Sequence, residues 1–402
     1  QHQMGVEGNP RRSEGGTMSL GRIAVLVSND LAFDQRVRKT CATLQRAGYE
    51  PILIGRRMVW TDPVSIERPY RTQRLWLGLD RRLGFHRGPL FYLALQIGLW
   101  RELKYLSSEG GGVTAVWAND LDTLGPAVWA SRRFGWSIAY DSHEWFTEAE
   151  GLKGRPLRKW FWKTWERWCF ARIDRMITVN EVIAEAYAQK GLKVEVVSNV
   201  PERMSPADPM PREELGWPVG QTVLLMQGAF MDRDRGALDA VRSMPHLPGI
   251  HLALIGAGPE HAEAASLAAS IGMADRVHVH ERMPYDTLRR CTAAADVGLS
   301  LDRPTVDNFR FSLPNKLFDF LHAGLPVVCS DLPVAGRFVK ENKTGEVALG
   351  GKDDESIARR IADAVQAVLD APPDTGHLAD VASRHHWGVH EAALLRAIHR
   401  PD

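Results

Sequence analysis

Cysteine, long apolar runs and an excess of either charge are what this 402-residue sequence has little of. Its four cysteines lie far apart with no Cys-x-x-Cys pair, which is typical of reduced thiols in a cytoplasmic protein rather than of a disulfide framework. The longest mainly apolar stretch, Leu90 to Trp100 with Gln96 inside it, is well short of the roughly 20 residues that a membrane-spanning helix needs. With 44% hydrophobic and 25% charged residues, the chain is predicted to be a folded protein of two or three domains.

The net charge of +1 conceals two halves of opposite sign. Residues 1–200 carry 29 Lys and Arg against 21 Asp and Glu, whereas residues 201–402 carry 21 against 28. Eleven of the 13 tryptophans also fall in the first half. We therefore predict two domains with different partners. A basic first half could face a phosphate, a lipid headgroup or a nucleic acid, and a surplus of eight cations does not decide between them. No nucleic acid is expected among the partners.

Short β-branched runs alternate with helical patterns along the chain, beginning with a strand at Arg22 to Val27 and a helix at Arg36 to Leu44. This alternation predicts an α/β protein with two doubly wound, Rossmann-like parallel sheets. Five prolines between Pro201 and Pro218 predict a hinge. The predicted division is a flexible tail or cloning remnant over 1–20, an N-terminal domain over 21–200, a linker over 201–218, a C-terminal domain over 219–380, and a helical segment over 381–402 that packs back on the first domain.

Polar residues follow several predicted strands of the first half, where parallel sheets bind ligands. They are Asn29, Asp30, Arg36, Asn119, Asp120, His143 and Glu144. After the first strand, a helix N-terminus and Arg36 converge on a place suited to an anion. A loop of solvated polar residues explains Asn29, Asp30 and Arg36 equally well. His143 stands between acids at a strand end with no core to fill, so we predict that it is functional.

In the second half, Gly228 ends a predicted strand and Arg235 precedes a helix, where a guanidinium can reach phosphate oxygens in bidentate fashion. Lys316 lies in the first turn of another predicted helix, at the positive end of the helix dipole. A cation is unfavourable there unless an anion shares the place. Asp319, three residues further on, lies on the same helix face and suits a ribose diol.

Two other patterns are weaker than they look. Gly256-Ala257-Gly258 resembles the start of a dinucleotide fingerprint, but His261 replaces the third glycine and no acid ends a following strand, so NAD is not expected. His386 and His390 are four residues apart without an evident third ligand, so we expect no metal site.

The segment from Arg155 to Arg172 is predicted to be a basic, aromatic, amphipathic helix. One face is expected to carry Leu157, Phe161, Trp165 and Trp168. The simpler interpretation is that the domain core buries this face. The alternatives, a peripheral membrane contact or an aromatic acceptor surface, stay open.

Taken together, these motifs resemble those of the retaining nucleotide-sugar glycosyltransferases of the GT-B fold, in particular the family-4 type (glycosyl transferases group 1). The strongest match runs from Ser312 to Val328 and looks like that family's donor-binding helix followed by its AGLPVV strand. Weaker matches are Asn119-Asp120, the stretch Tyr140 to Glu144, and Leu254 to Pro259. The resemblance covers nearly the whole chain from about Gly21, and it accounts for the glycine pair without NAD.

The resemblance implies two lobes facing each other across a cleft, with the nucleotide sugar on the second lobe and the acceptor on the first. His143, Arg235 and Lys316 would be catalytic, with the two cations on the phosphates and Asp319 on the ribose. Further donor residues would be Gly228, Arg282, Met283, Ser312, Leu313 and Asn315. Phe311 stands where the family has a glutamate, so Asp307 or Asn308 is expected to replace it. Acceptor residues would be Asn29, Asp30, Arg36, Asn119, Asp120 and Glu144.

The implied reaction is transfer of a sugar from a UDP- or GDP-sugar with retention of configuration, without a metal or other cofactor. The acceptor would be a small molecule or a lipid-linked glycan, and the location cytoplasmic or peripheral to the inner face of the membrane. Three alternatives share the two-lobed fold: a sugar-nucleotide epimerase, a phosphorylase, and a non-enzymatic nucleotide-sugar-binding partner subunit.

Overall fold

The computed structural model describes residues 19–30, 34–56, 68–75, 88–110, 112–173, 175–203, 205–348 and 350–398. The tail predicted over 1–20 lies outside these residues except for Ser19 and Leu20. The described residues form two α/β lobes, each built on one parallel sheet.

Seven parallel strands form the sheet of the first lobe, in the order β3-β2-β1-β4-β5-β6-β7. The strands are β1 (Arg22–Asp30), β2 (Glu50–Arg56), β3 (Arg71–Leu75), β4 (Val113–Asn119), β5 (Ser137–Ser142), β6 (Arg175–Thr178) and β7 (Lys193–Val196). The helices are α1 (Gln35–Arg46), α2 (Pro89–Ser108), α3 (Leu121–Phe134), α4 (Pro156–Phe170) and α5 (Glu181–Ala188). The strand order reverses between β1 and β4, which opens a crevice at their carboxyl ends.

Six parallel strands form the sheet of the second lobe, in the order β10-β9-β8-β11-β12-β13. The strands are β8 (Val223–Gly228), β9 (His251–Gly256), β10 (Val277–Glu281), β11 (Val297–Ser300), β12 (Val327–Ser330) and β13 (Gly345–Ala348). The helices are α6 (Ala237–Ser243), α7 (Pro259–Ser270), α8 (Tyr285–Ala293), α9 (Asp307–Arg310), α10 (Asn315–His322), α11 (Ala335–Asn342), α12 (Asp354–Asp370), α13 (Thr375–Arg384) and α14 (Glu391–Arg396). The predicted fold class, two doubly wound Rossmann-like domains, is confirmed.

The end of the chain returns to the first lobe. Trp387 is fully buried in the same apolar cluster as Val25 and Trp117 of the first sheet. Its indole N–H donates to Thr43 Oγ1 at 2.9 Å, so the contact is anchored by a hydrogen bond as well as by apolar burial. Helix α14 continues this packing through Leu394, and the two lobes are thereby tied together.

Helix α4 does not bury the face that the sequence pattern predicted. Leu157 is 82% exposed and Phe161 is 50% exposed, while Trp165 and Trp168 are only partly buried. The side turned to the core carries Trp162, Glu166, Cys169 and Phe170. Both sides of the helix have apolar residues at helical spacing, so periodicity alone could not choose between them. No described helix is long and apolar enough to cross a bilayer.

Candidate active site

The first-lobe part of the site lies where β4 and β5 end side by side. His143 follows β5, and its ring is surrounded by acceptors from both strands. Its Nε2 lies 3.1 Å from Asn119 Oδ1 and 3.5 Å from Asp141 Oδ2, and its Nδ1 lies 3.5 Å from Asp120 Oδ2. Because both ring nitrogens face oxygens that only accept hydrogen bonds, the geometry favours the doubly protonated imidazolium.

The charges around His143 also favour its protonated form. Burial alone would lower the pKa of His143, but the carboxylates of Asp120 and Asp141 raise it to about 9. Burial raises the pKa of the Asp120 carboxyl to about 7, against the attraction of His143. Between these two values the pair is therefore an imidazolium beside a carboxylate, and His143 offers a positive charge to the crevice.

Asp120 has a backbone conformation that residues other than glycine rarely adopt, with φ +60° and ψ 165°. Its amide donates to Asp141 O at 2.8 Å, and its Oδ1 accepts from the His143 amide at 2.9 Å. These bonds hold the strained residue against His143. Such strain persists only where surrounding contacts enforce it, and it clusters at functional sites.

Arg36, predicted to contact the acceptor, is a buried support instead. Its guanidinium is 2% exposed, binds both Asp141 oxygens at 2.7 to 3.2 Å and donates to Val197 O at 2.7 Å. Burial would raise the pKa of Asp141, but Arg36 and His143 hold it below its ordinary value. Arg36 therefore fixes the carboxylate beside His143 and has no nitrogen left for an acceptor.

Two other predicted acceptor residues have local roles. The Asn29 side chain donates to Asp34 Oδ2 at 2.8 Å, and Asp34 caps α1. Asn29 thus belongs to the capped loop before α1. The Asp30 side chain lies outside the described part of the structure, although its backbone ends β1.

The second-lobe part of the site is a pair of cations on one buried carboxylate. Arg235 Nη1 lies 3.2 Å from Asp302 Oδ1, and Lys316 Nζ lies 3.7 Å from Asp302 Oδ2. Asp302 is fully buried, whereas the Arg235 side chain is 34% exposed. Burial lowers the pKa of Lys316 and Asp302 opposes this. Two cations facing one carboxylate leave a net positive charge, which suits a phosphate.

Asp302 also explains why a lysine, Lys316, stands in the first turn of α10. Lys316 is the second residue of α10, where the helix dipole is unfavourable to a positive charge, and Asp302 supplies an anion there. Sequence reasoning missed Asp302. The available signal was its position directly after a predicted strand, the same rule that selected His143.

Asp319, one turn further along α10 than Lys316, lines a cavity. Its Oδ1 accepts from the Tyr285 hydroxyl at 2.9 Å, and burial raises the pKa of its carboxyl to about 6. The cavity is lined by Gln227, Tyr285, Arg289, Thr292, Asp319 and His322 together with the apolar side chains of Pro201, Ala207, Leu288 and Ala323. It therefore offers a few hydroxyl, amide and carboxyl groups on a mainly apolar wall, which is the ordinary composition of a small-molecule site.

The remaining predicted donor residues lie at strand ends, at helix starts or against the second-lobe core. Gly228 ends β8, and Arg282 and Met283 follow β10. Met283 is partly buried against the second-lobe core, with its sulfur 3.4 Å from Cys291 Sγ. The Ser312 hydroxyl donates to Phe309 O at 2.9 Å. The others lie at helix starts or in the core: Asp307 begins α9, Asn315 begins α10, and Leu313 packs on the core.

Asn308, expected to contact the donor sugar, is occupied by the first lobe. Its Nδ2 donates to Glu144 Oε2 at 2.8 Å, and its Oδ1 accepts from the Trp145 amide at 3.0 Å. Glu144, predicted to contact the acceptor, is correspondingly held by Asn308. The contact extends to Phe311, whose ring lies 6.0 Å from that of Trp145.

Helix α9 thereby connects the two halves of the site. Asn308 binds the residues directly after His143, and the neighbouring Phe309 packs its ring 4.1 Å from the Arg235 guanidinium carbon. The Asn180 side chain of the first lobe, which caps α5, also donates to Phe311 O at 2.9 Å. The His143 cluster and the pair of cations therefore border the same cleft between the lobes.

This chain matches known glycosyltransferases over most of its length. Residues 34–201 match the glycosyl transferase 4-like domain and residues 221–367 match glycosyl transferases group 1. Lipopolysaccharide core biosynthesis glycosyltransferase LpsE of Rhizobium meliloti is 27% identical over 196 residues, 48% of this chain and 54% of the relative. LpsD of the same organism is 27% identical over 110 residues, 27% of this chain and 32% of the relative. The chain thus spans about half of one relative and a third of the other.

Solved structures share the architecture. Sucrose-phosphate synthase from Thermosynechococcus elongatus has a TM-score of 0.72 at 18% identity, covering 94% of this chain and 98% of that one. Anabaena HepE, in complex with UDP-glucose, has a TM-score of 0.68 at 13% identity, covering 94% and 98%. The chain has the GT-B fold and belongs to the family-4 type of GT-B glycosyltransferases, so the fold and family read from the sequence are confirmed, and retention of configuration stays a prediction.

Proposed function

We propose that the protein transfers a sugar from a nucleoside diphosphate sugar to an acceptor, with retention of configuration and without a metal. The observation that carries this proposal is the pair of cations on Asp302: Arg235 and Lys316 lie together at the cleft, and their combined charge exceeds that of the carboxylate. Such a pair suits a diphosphate leaving group, whose negative charge grows as the bond to the sugar breaks.

In the proposed step, the bond between the anomeric carbon and the β-phosphate oxygen breaks as the acceptor oxygen bonds to the same face of that carbon. The acceptor proton passes to the departing phosphate. Arg235 and Lys316 stabilise the diphosphate charge, and Asp319, in the cavity that it lines, receives the ribose. His143 orients the transferred sugar from the first lobe through its positive charge, which Asp120 and Asp141 maintain.

The names of the relatives favour particular substrates. Because HepE was solved with UDP-glucose, a UDP-sugar is our first choice of donor, with a GDP-sugar second. Because LpsD and LpsE are assigned to lipopolysaccharide core biosynthesis, a lipid-linked glycan is the acceptor class that we favour over a small molecule. The protein is proposed to act on the cytoplasmic side of the membrane.

The test uses slow transfer of the sugar to water, which needs no knowledge of the acceptor. The protein is incubated with UDP-glucose, UDP-galactose or GDP-mannose in the presence of EDTA, and the first sugar anomer released is identified by proton NMR. Lys316→Ala should reduce release by about 100- to 1000-fold, as loss of one stabilising donor does elsewhere. Lys352→Ala, which changes an exposed lysine of the same lobe, is the matched control.

Each result separates the alternatives. Release of the same anomer as in the donor, insensitive to EDTA, supports the proposal. Release of the opposite anomer would refute retention, and loss of activity in EDTA would refute metal independence. Conversion of the nucleotide sugar without release of a nucleoside diphosphate would point to an epimerase. An undiminished Lys316→Ala protein would remove Lys316 from the mechanism.

A further inference from the structure

Two neighbouring helices of the first lobe expose an unusual amount of apolar surface. Seven large apolar side chains on α2 and α4 are between 49% and 82% exposed: Leu90, Leu93, Ile97, Tyr105, Leu157, Trp160 and Phe161. Elsewhere in the described part of the chain, the large apolar residues exposed to this extent are spread singly over both lobes. Single exposed apolar residues are ordinary, whereas a cluster of them marks an interaction surface.

Contacts between the two helices indicate that their exposed sides adjoin. The rings of Tyr92 on α2 and Trp162 on α4 lie 4.9 Å apart. Gln96 of α2 and Trp165 of α4 both cover Gly125 of α3. Exposed residues on α2 recur at positions 90, 93 and 97, and those on α4 at 157, 160 and 161, which is one face of each helix. We call these six residues, with the intervening helix faces, the α2/α4 surface.

The charges on α4 and in the residues that flank it are mostly positive. Residues 153–172 contain seven Lys and Arg and one acid, Glu166, which is buried and bound to Lys190 at 2.5 Å. Lys159 and Lys163 are held by Glu148. Arg158 and Arg167 are exposed and have no acidic partner within the described residues, so their charge is directed to solvent.

We propose that the α2/α4 surface docks on an anionic lipid bilayer. Tryptophan, with an apolar ring and a polar N–H, favours the interface between lipid headgroups and acyl chains, and long basic side chains extend from such a helix to the phosphates. Trp160, Leu157 and Phe161 therefore suit the apolar layer of a bilayer, and the unpaired charges of Arg158 and Arg167 suit its anionic headgroups.

The α2/α4 surface is also connected to the candidate active site. The ring of Phe146, three residues after His143, packs 4.9 Å from that of Trp162 on α4. Glu148, in the same turn, binds two lysines of α4. A bilayer against α4 would thus lie beside the first-lobe side of the cleft. If the proposed function holds, this orientation brings a lipid-linked acceptor to His143.

Vesicle binding tests the inference without reference to catalysis. The full-length protein is mixed with vesicles of phosphatidylglycerol and phosphatidylcholine in equal parts, or of phosphatidylcholine alone, at low and high salt, and floated on a density gradient. The test variant is Leu157→Glu with Trp160→Glu, both exposed and in the first turns of α4, where acidic residues suit the helix dipole. Val219→Glu, at an exposed valine of the second lobe, is the control.

We expect the wild type to float with the anionic vesicles, less at high salt because the phosphates are screened. The double variant should bind at least about tenfold more weakly with an unchanged melting temperature, and Val219→Glu should bind as the wild type does. Failure to float with anionic vesicles, or equal binding by the double variant, would overturn the inference. A wild-type dimer in solution that the double variant dissociates would assign the surface to a second copy instead. None of these outcomes depends on nucleotide binding, so the proposed function is tested separately.

Discussion

Replacing Asp120 by asparagine should lower the pKa of His143 without changing the shape of the site. The asparagine side chain would keep an oxygen for the His143 amide but lose the charge that lies 3.5 Å from Nδ1. Two unit charges at that distance attract by about 5 kcal/mol at an effective dielectric constant of about 20. Partial exposure of both side chains reduces this to roughly 2 kcal/mol, or a fall in pKa of about 1.5.

The assay is NMR titration of the imidazole, with labelled histidine and assignment through His143→Gln. In the wild type the pKa of His143 should be about 9. In Asp120→Asn it should lie between about 7 and 8, because Asp141 still attracts the imidazolium. An unchanged pKa would refute the claim that Asp120 sets the charge of His143, and a wild-type value near 6.5 would refute the imidazolium itself.

The same pair predicts how stability depends on pH. A histidine whose pKa is higher in the folded than in the unfolded protein stabilises the fold, and this contribution is fully present below about pH 6.5. It is lost as the pH rises through the folded pKa of about 9. Urea unfolding across this range should therefore show a loss of stability that is larger in the wild type than in Asp120→Asn. An equal loss in both proteins would contradict the coupling.

Three other substitutions test the support of the site by urea unfolding. Gly236→Ala places a Cβ 2.2 Å from the Leu301 carbonyl oxygen, at a residue with φ +85°. It should lower the free energy of unfolding by about 1 to 3 kcal/mol more than Gly191→Ala, the control at φ +88° with open space around it. Equal losses in the two variants would refute the clash. Arg36→Met leaves Asp141 buried without its counter-ion, so it should lower the free energy of unfolding by about 3 to 5 kcal/mol near pH 7 and by less in acid, where Asp141 is protonated. An unchanged free energy of unfolding would contradict this account of the pair. Trp387→Ala should cost about 3 to 5 kcal/mol and expose the C-terminal segment to proteolysis, whereas resistance would show that the lobes are joined without it.

The fold was predictable because its central strands carry a strong signal. Strands such as β1 and β8 are continuous runs of buried apolar residues, as expected inside a parallel sheet. Strands β3, β7 and β13 were not predicted, since they lie at or near sheet edges and their sequences mix charged with apolar residues. The orientation of α4 was not predictable either, because both of its faces are apolar.

The site was predictable only where a residue acts locally. Strand ends and helix starts pointed to His143, Arg235 and Lys316, since those positions depend on the order of elements along the chain. The structure brings these residues to one cleft, and their roles in catalysis stay predictions. Asp302 was missed because its role depends on two cations that are distant in sequence. Arg36 and Asn308 were assigned to ligands, although their partners lie across the first lobe and across the cleft, and such pairing appears only once the lobes are assembled.

Nucleotide binding tests the central claim most directly. Melting temperatures are measured with UDP, GDP, ADP and dTDP for the wild type, Lys316→Ala and Lys352→Ala, because a ligand that binds the folded state raises the melting temperature by mass action. We predict a rise with one diphosphate, UDP in the first place, that disappears in Lys316→Ala and persists in Lys352→Ala. No rise with any nucleotide, or an equal rise in Lys316→Ala, would contradict a donor site built on the pair of cations at Asp302.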